Sequence, residues 1–251
     1  MMHIVFGKSP LKEVLFQVNF PTLLIIDNEK PAAFQNRIYS IFPFYEENNS
    51  NVKELIIGPN FGEPQVNSSS IKNYIFVSID QNTRVILNNS SLTITTKDYK
   101  NWNLFSEICF NVLNHFIEIY NPIFFNRIGL RYINVIEKSF YNLKDEQWNQ
   151  LIKPEYLGPH LVKSDSRARI FNILSERYNK ENNILVKEQY GLVKNELGEI
   201  CFLADADYIM AKRIEVLNTK ESFMSLHDNS ENYIKNIASE KLLSLMEPKN
   251  E

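Results

Sequence analysis

At 251 residues, with 44% apolar and 23% charged side chains, the chain has the material for a packed core, which excludes wholesale disorder. Its net charge of −3, with lysines and arginines scattered among acids and no basic stripe, argues against a charge-driven nucleic-acid binder while leaving room for a small basic surface. Seven glycines argue against glycine-rich cofactor loops, so no cofactor is expected. Cys109 and Cys201 sit in apolar segments without zinc or redox spacing and are expected to be reduced core residues. Met1 to Pro10 lacks the apolar core of a signal peptide, and the longest aliphatic run, Leu23 to Ile26, is too short to cross a bilayer. The expectation is a cytoplasmic protein.

Alternation predicts a first strand over Leu11 to Phe20, with Val14, Phe16, Val18 and Phe20 on one face. A short helix from Pro31 carries Phe34, Ile38 and Ile41 and stops at Pro43. Lys53 to Ile57 reads as a strand and Asn60 to Ser70 as a turn-rich loop. Asn73 to Ile79, Arg84 to Leu87 and Leu92 to Thr96 read as a meander. A long helix over Asn101 to Tyr120 has Trp102, Phe105, Cys109, Val112, Phe116 and Ile119 in one stripe.

The second half follows a similar order. The strand Arg127 to Glu137 leads to a short helix capped near Asn142 and carrying Trp148, Leu151 and Ile152. After the loop Pro154 to Ser166 come strands at Ala168 to Arg177, Ile184 to Val193 and Ile200 to Met210. A helical region from Glu221 closes the chain, with Ile234, Ile237, Leu242 and Leu245 on one side and a cap or break at Asp228 or Asn229. Both halves, about 1–122 and 123–251, spell strand, helix, meander, helix, although no residue identity links them. The fold class is α+β: a largely antiparallel curved sheet, continuous or split, with helices on one side. The other sheet face would be polar and available for binding.

Pro10-Leu11-Lys12-Glu13-Val14, Tyr99 with Trp102 and Phe105, Arg127-Ile128-Gly129-Leu130-Arg131-Tyr132-Ile133-Asn134, and Leu203-Ala204-Asp205-Ala206-Asp207 follow one another across most of the chain. In these pieces the chain resembles a bacterial protein family of about this length, sporadically distributed among genomes, with no established activity, cofactor or catalytic residue. The resemblance implies one domain over residues 1–251. The patchy distribution is like that of mobile-element or phage-defence genes.

The chemistry concentrates on two predicted strands. Arg127 and Arg131 share a strand face, about 13 Å apart, too far for one clamp on a single phosphate. A buried guanidinium needs an acidic partner, from a ligand or from the protein itself. Asp205 and Asp207 project from one face of the last predicted strand, roughly 6–7 Å apart. With a third acid, Glu188 or Glu199, that pair would hold a divalent metal for phosphoryl or nucleotidyl transfer. The Gly-Ser turn expected upstream of such a site is missing, and pairing of the aspartates with Arg127 and Arg131 is the favoured reading. No metal is expected.

The remaining candidates carry less. His115 lies beside the long helix's apolar stripe; His3 and His227 lie near a terminus and the last helix. His160 with Ser164 and Asp165 lacks a nucleophile elbow. The Gly58-Pro59-Asn60-Phe61-Gly62 loop lacks the lysine of a phosphate loop. Tyr74, Phe76, Tyr132, Phe171, Tyr178 and Tyr190 would stack bases on an open sheet or fill a core under helices.

With no complete catalytic set, the leading expectation is a non-catalytic interaction or regulatory protein with a protein partner or a second copy of itself. The alternatives are a metal-dependent enzyme using Asp205 and Asp207 on nucleotides or nucleic acid, and a single-stranded nucleic-acid binder. No membrane association is expected.

Overall fold

The computed structural model describes residues 4–56, 65–158 and 171–250. The chain opens with β1 (Ile4–Phe6) and β2 (Leu11–Asn19), then helices α1 (Leu24–Asn28) and α2 (Ala32–Ile38). Strands β3 (Phe44–Ile56), β4 (Gln65–Val77), β5 (Thr83–Leu87) and β6 (Ser91–Thr96) form a meander, followed by the long helix α3 (Trp102–Tyr120). The second half runs β7 (Phe124–Phe125), β8 (Arg127–Ile136), α4 (Trp148–Leu151), β9 (Phe171–Asn179), β10 (Ile184–Lys194) and β11 (Ile200–Met210). It closes with β12 (Ile214–Glu215), helices α5 (Thr219–Ser230), α6 (Tyr233–Ile237) and α7 (Glu240–Leu245), and β13 (Pro248–Asn250).

Nine strands make one curved antiparallel sheet in the order β3-β4-β5-β6-β2-β8-β11-β10-β9. Each half places its opening strand at the centre and the last strand of its meander beside it. Thus β2 lies next to β6, β8 lies next to β11, and β2 and β8 pair antiparallel across the middle.

The helices cover one face, as the apolar alternation requires. Phe16 of β2 stacks on Phe223 of α5 with ring centroids 3.6 Å apart and meets Phe110 of α3 edge-on at 5.7 Å. Phe20 packs on Phe116 of α3. Helix α3 starts where the Asn101 side chain accepts a hydrogen bond from the Leu104 N–H at 2.9 Å. It ends at Asn121, whose left-handed backbone terminates the helix. Phe105, Cys109, Val112, Leu113 and Phe116 are its buried stripe. Both cysteines are free and buried, and burial pushes both thiols up.

The uncovered face, over which no helix lies among the described residues, carries the odd-numbered residues of β8 and β11 and those of β2 from Glu13 on. A bulge between Leu11 and Glu13 turns Leu11 to the helix side. No helix among the described residues is long and apolar enough to cross a membrane.

Several boundaries differ from expectation. Helix α1 precedes α2 although no periodic apolar run announces it, and α2 ends at Ile38, so Ile41 lies beyond it. Strand β3 begins at Phe44 and β4 at Gln65, well before the apolar clusters expected to define them. Their polar residues are strand because the two pair over their whole length. The second-half helix is a single turn, Trp148–Leu151, starting after Gln147; Asn142 instead takes a left-handed turn conformation. The closing helical region is three pieces, with α5 continuing through Asp228 and Asn229 to Ser230. Strands β1 and β13 pair the two ends of the chain, a non-local contact that no local pattern encodes.

Candidate functional site

The four predicted site residues meet at the centre of the uncovered face. The register places Arg131 opposite Asp207 on one side and Leu15 on the other, and Gly129 opposite Gln17. Neither ion pair runs straight across, although Arg127 Nη1 also donates to Asn19, directly opposite on β2, at 3.5 Å. Arg131 reaches diagonally to Asp205, donating from Nε to Oδ1 at 2.8 Å and from Nη2 to Oδ2 at 2.5 Å. Arg127 runs back over Gly129 and donates from Nη2 to Asp207 Oδ2 at 2.9 Å. Asp205 is the diagonal neighbour of Arg131 on this face, whereas Asp207 stands opposite Arg131, four residues along from Arg127, so that Arg127 must lie extended along its own strand to reach it.

Neutral groups extend the network. Arg127 Nη1 donates to Gln17 Oε1, and Gln17 Nε2 donates to Thr93 Oγ1 at 2.9 Å. One hydrogen-bonded row therefore crosses β6, β2, β8 and β11. Beside it, Thr95 Oγ1 donates to Glu13 Oε1 at 2.5 Å.

The two ion pairs differ in solvation. Asp205 is only 7% exposed while its partner Arg131 is 41% exposed; Arg127 and Asp207 are both about one-quarter exposed. The fork on Asp205 is bidentate, which satisfies both carboxylate oxygens. The Asp205 hydrogen bond raises the Arg131 pKa, against the opposing effect of burial. Burial raises the Asp207 carboxyl, while Arg127 and Arg131 pull it down.

The acids required to complete a metal site lie elsewhere. Glu188 is opposite Ala206, on the helix-covered face, and its carboxylate receives a fork from Arg177 at 2.7 and 3.0 Å. Glu199 accepts from the Ser139 N–H and hydroxyl. Among the described residues no group of three or more His, Cys, Asp or Glu side chains gathers as a metal site.

The aromatic candidates divide by face. Tyr74, Phe76, Tyr132, Phe171 and Tyr190 share the register of the helix-covered face, and only Tyr178 stands exposed on the other. His115 Nδ1 is buried, 3.6 Å from Glu118. His3, His160, Ser164, Asp165 and the Gly58–Gly62 loop lie outside the described residues.

One cluster was not anticipated. Behind the arginine strand, Tyr132 Oη lies 2.9 Å from His227 Nδ1, and the His227 ring stacks on Trp102 at 4.2 Å. Strand alternation places Tyr132 and Asn134 on the helix side, but only tertiary packing brings His227 of α5 to them. Burial holds the Tyr132 hydroxyl well above the ordinary tyrosine range.

No protein-family model matches the chain, and comparison with curated proteins finds no match.

Proposed function

We propose that the chain is a non-catalytic cytoplasmic interaction or regulatory protein, with a protein partner or a second copy docking on the uncovered sheet face. One observation carries this reading: among the described residues each arginine at the centre of that face is paired with an aspartate, while Glu13 beside them accepts from Thr95, so neither guanidinium stands open for an anionic substrate. A fully paired polar centre suits a docking surface, where register and specificity matter more than reactive groups. Apolar contact area stands at its two edges, in Leu174, 75% exposed on β9, and Phe44, half-exposed on β3. The family resemblance suggests a bacterial phage-defence or mobile-element module as the setting.

The enzyme reading requires Asp205 and Asp207 to leave their arginines before they hold a metal. The single-strand reading requires a row of exposed aromatics, where the described part of the face offers Tyr178 and Phe44 at opposite edges. Both therefore stand behind.

Affinity purification from the native host, with light scattering on the pure protein, tests the proposal. The expected result is a stoichiometric protein partner or a defined homo-oligomer that Leu174→Asp weakens. A monomer without a partner that turns over a substrate overturns it.

A further inference from the structure

On the helix-covered side, a groove of about 690 Å³ opens between strands β9, β10 and β11 and the junction of helices α5 and α6. That volume falls within the roughly 300–1,000 Å³ usual for small-molecule sites. Its floor is buried: Glu188 is 6% exposed, Tyr208 3% and Tyr233 7%. Neighbours hold the polar groups in place. Arg177 forks onto the Glu188 carboxylate at 2.7 and 3.0 Å, and the Tyr233 hydroxyl donates to the Asp205 carbonyl at 3.3 Å. Tyr156, half-buried on the wall, stands edge-on to Tyr190 with ring centroids 5.3 Å apart. Burial, and after it the Glu188 carboxylate, raises the Tyr208 and Tyr233 hydroxyls above the ordinary tyrosine range, so both stay protonated. A site assembled before its ligand arrives loses little freedom on binding.

Charge and wall chemistry narrow the occupant. Among the described residues the charged side chains on the groove are Arg177 and Lys180 against Glu181 and Glu188, a balance that selects neither an anion nor a cation. Ile184 and Val186 are its aliphatic members, too few for an apolar ligand. The rest of the lining is neutral and hydrogen-bonding: the tyrosines with Asn179, Asn229, Asn232 and Asn236. Asn232 and Asn236 are exposed and one helical turn apart, so they face the groove together and can exchange water for a ligand. A side-chain amide offers donors and an acceptor at once, which matches hydroxyls that do both. Each Glu188 oxygen keeps a lone pair beyond the arginine fork. Tyrosine rings add flat apolar faces for the C–H side of a sugar ring. A peptide backbone, the other neutral hydrogen-bonding ligand, has no such clustered hydroxyls. We propose that this groove binds a neutral saccharide, of the size of a disaccharide, with its hydroxyls on Glu188, Asn232 and Asn236 and a ring face on Tyr156. The site does not rest on the docking reading, since it lies on the other side of the sheet.

Ligand-observed saturation-transfer NMR with maltose, cellobiose, lactose and N,N′-diacetylchitobiose tests it. AMP, spermidine and N-acetyl-alanyl-alanine amide serve as the anionic, cationic and peptide comparators. At least one disaccharide should bind saturably and more tightly than every comparator. Glu188→Gln should weaken that binding by about tenfold, the scale of one hydrogen bond to a charged acceptor. Asn232→Ala combined with Asn236→Ala, both at exposed positions, should weaken it as well and gives the readout should Glu188→Gln not fold. The proposal is overturned if no disaccharide binds saturably, if a comparator binds as tightly or more tightly, or if the variants that fold leave the binding unchanged.

Discussion

The Arg127 guanidinium lies directly over Gly129. A Cβ placed on Gly129 would meet Arg127 Nη1 at 2.9 Å, Nη2 at 3.0 Å and Cζ at 3.1 Å. Glycine in mid-strand normally costs about 0.5–1 kcal/mol relative to alanine, so here the missing side chain is the lane through which Arg127 reaches Asp207. Gly129→Ala should therefore destabilise the protein by about 1 kcal/mol, because displacing a flexible guanidinium leaves a partly buried carboxylate unpaired. In an Arg127→Ala background the same substitution should be neutral or stabilising. Urea melts of the four proteins form a double-mutant cycle. Equal Gly129→Ala effects in both backgrounds would disprove the coupling.

Asp205 and Arg131 make one ion pair with unequal burial, and the two single deletions should differ accordingly. Arg131→Ala strands a carboxylate that is 7% exposed, whereas Asp205→Asn leaves a guanidinium that is 41% exposed and reaches water. Breaking a fully buried pair costs about 3–5 kcal/mol; partial exposure brings Arg131→Ala down to about 2 kcal/mol. Asp205→Asn should cost less than half as much. Chemical denaturation of both variants checks the order. If the reverse order appears, Asp205 is not the member that depends on its partner.

The α+β class and the central pairing were legible because they rest on local pattern. Two arginines on one strand face demanded acids, and Asp205 and Asp207 on one face of another strand offered them. The diagonal partner choice was not legible, since it depends on register and on the lane over Gly129. Nor was the His227–Trp102–Tyr132 cluster, whose members come from α5, α3 and β8, separated widely in the chain. The polar parts of β3 and β4 hid for a related reason. Gln65 to Ser70 read as the end of a turn-rich loop, and only cross-strand pairing makes them strand.

Asp207 and Glu137 should pull the stability profile in opposite directions. Burial holds the Asp207 carboxyl above the ordinary 3.8. Such a group binds more protons when folded, so its contribution is present at low pH and is lost as pH rises through the folded pKa. Glu137 is lowered from 4.5 by its hydrogen bond with Lys12, so its contribution is present at higher pH and is lost as pH falls through the folded pKa. Across about pH 3 to 7, stability of the parent minus that of Asp207→Asn should fall with rising pH. The same difference against Glu137→Gln should rise. Parallel pH series of thermal melts read both slopes, and slopes of one sign would refute the assignment.

Gly191 is the position where the backbone itself forbids a side chain. Its φ is +155°, and a Cβ there would sit 2.1 Å from the Phe171 carbonyl oxygen, an atom of the neighbouring strand rather than a movable side chain. The residue lies opposite Asn172, at the end of the β9–β10 ladder, and β9 is the outermost strand of the sheet on that side. Gly191→Ala must push β9 away or break the pairing at its start, a backbone conflict that costs on the order of 3 kcal/mol. Because only one edge strand depends on that contact, the loss should be local. Amide hydrogen exchange should accelerate throughout β9 and along the β9-facing side of β10, while β2 and β8 keep their protection. Uniform acceleration across the whole sheet would show instead that β9 unfolds only with the core, and unchanged exchange in β9 would show that the strand pairs without this close approach.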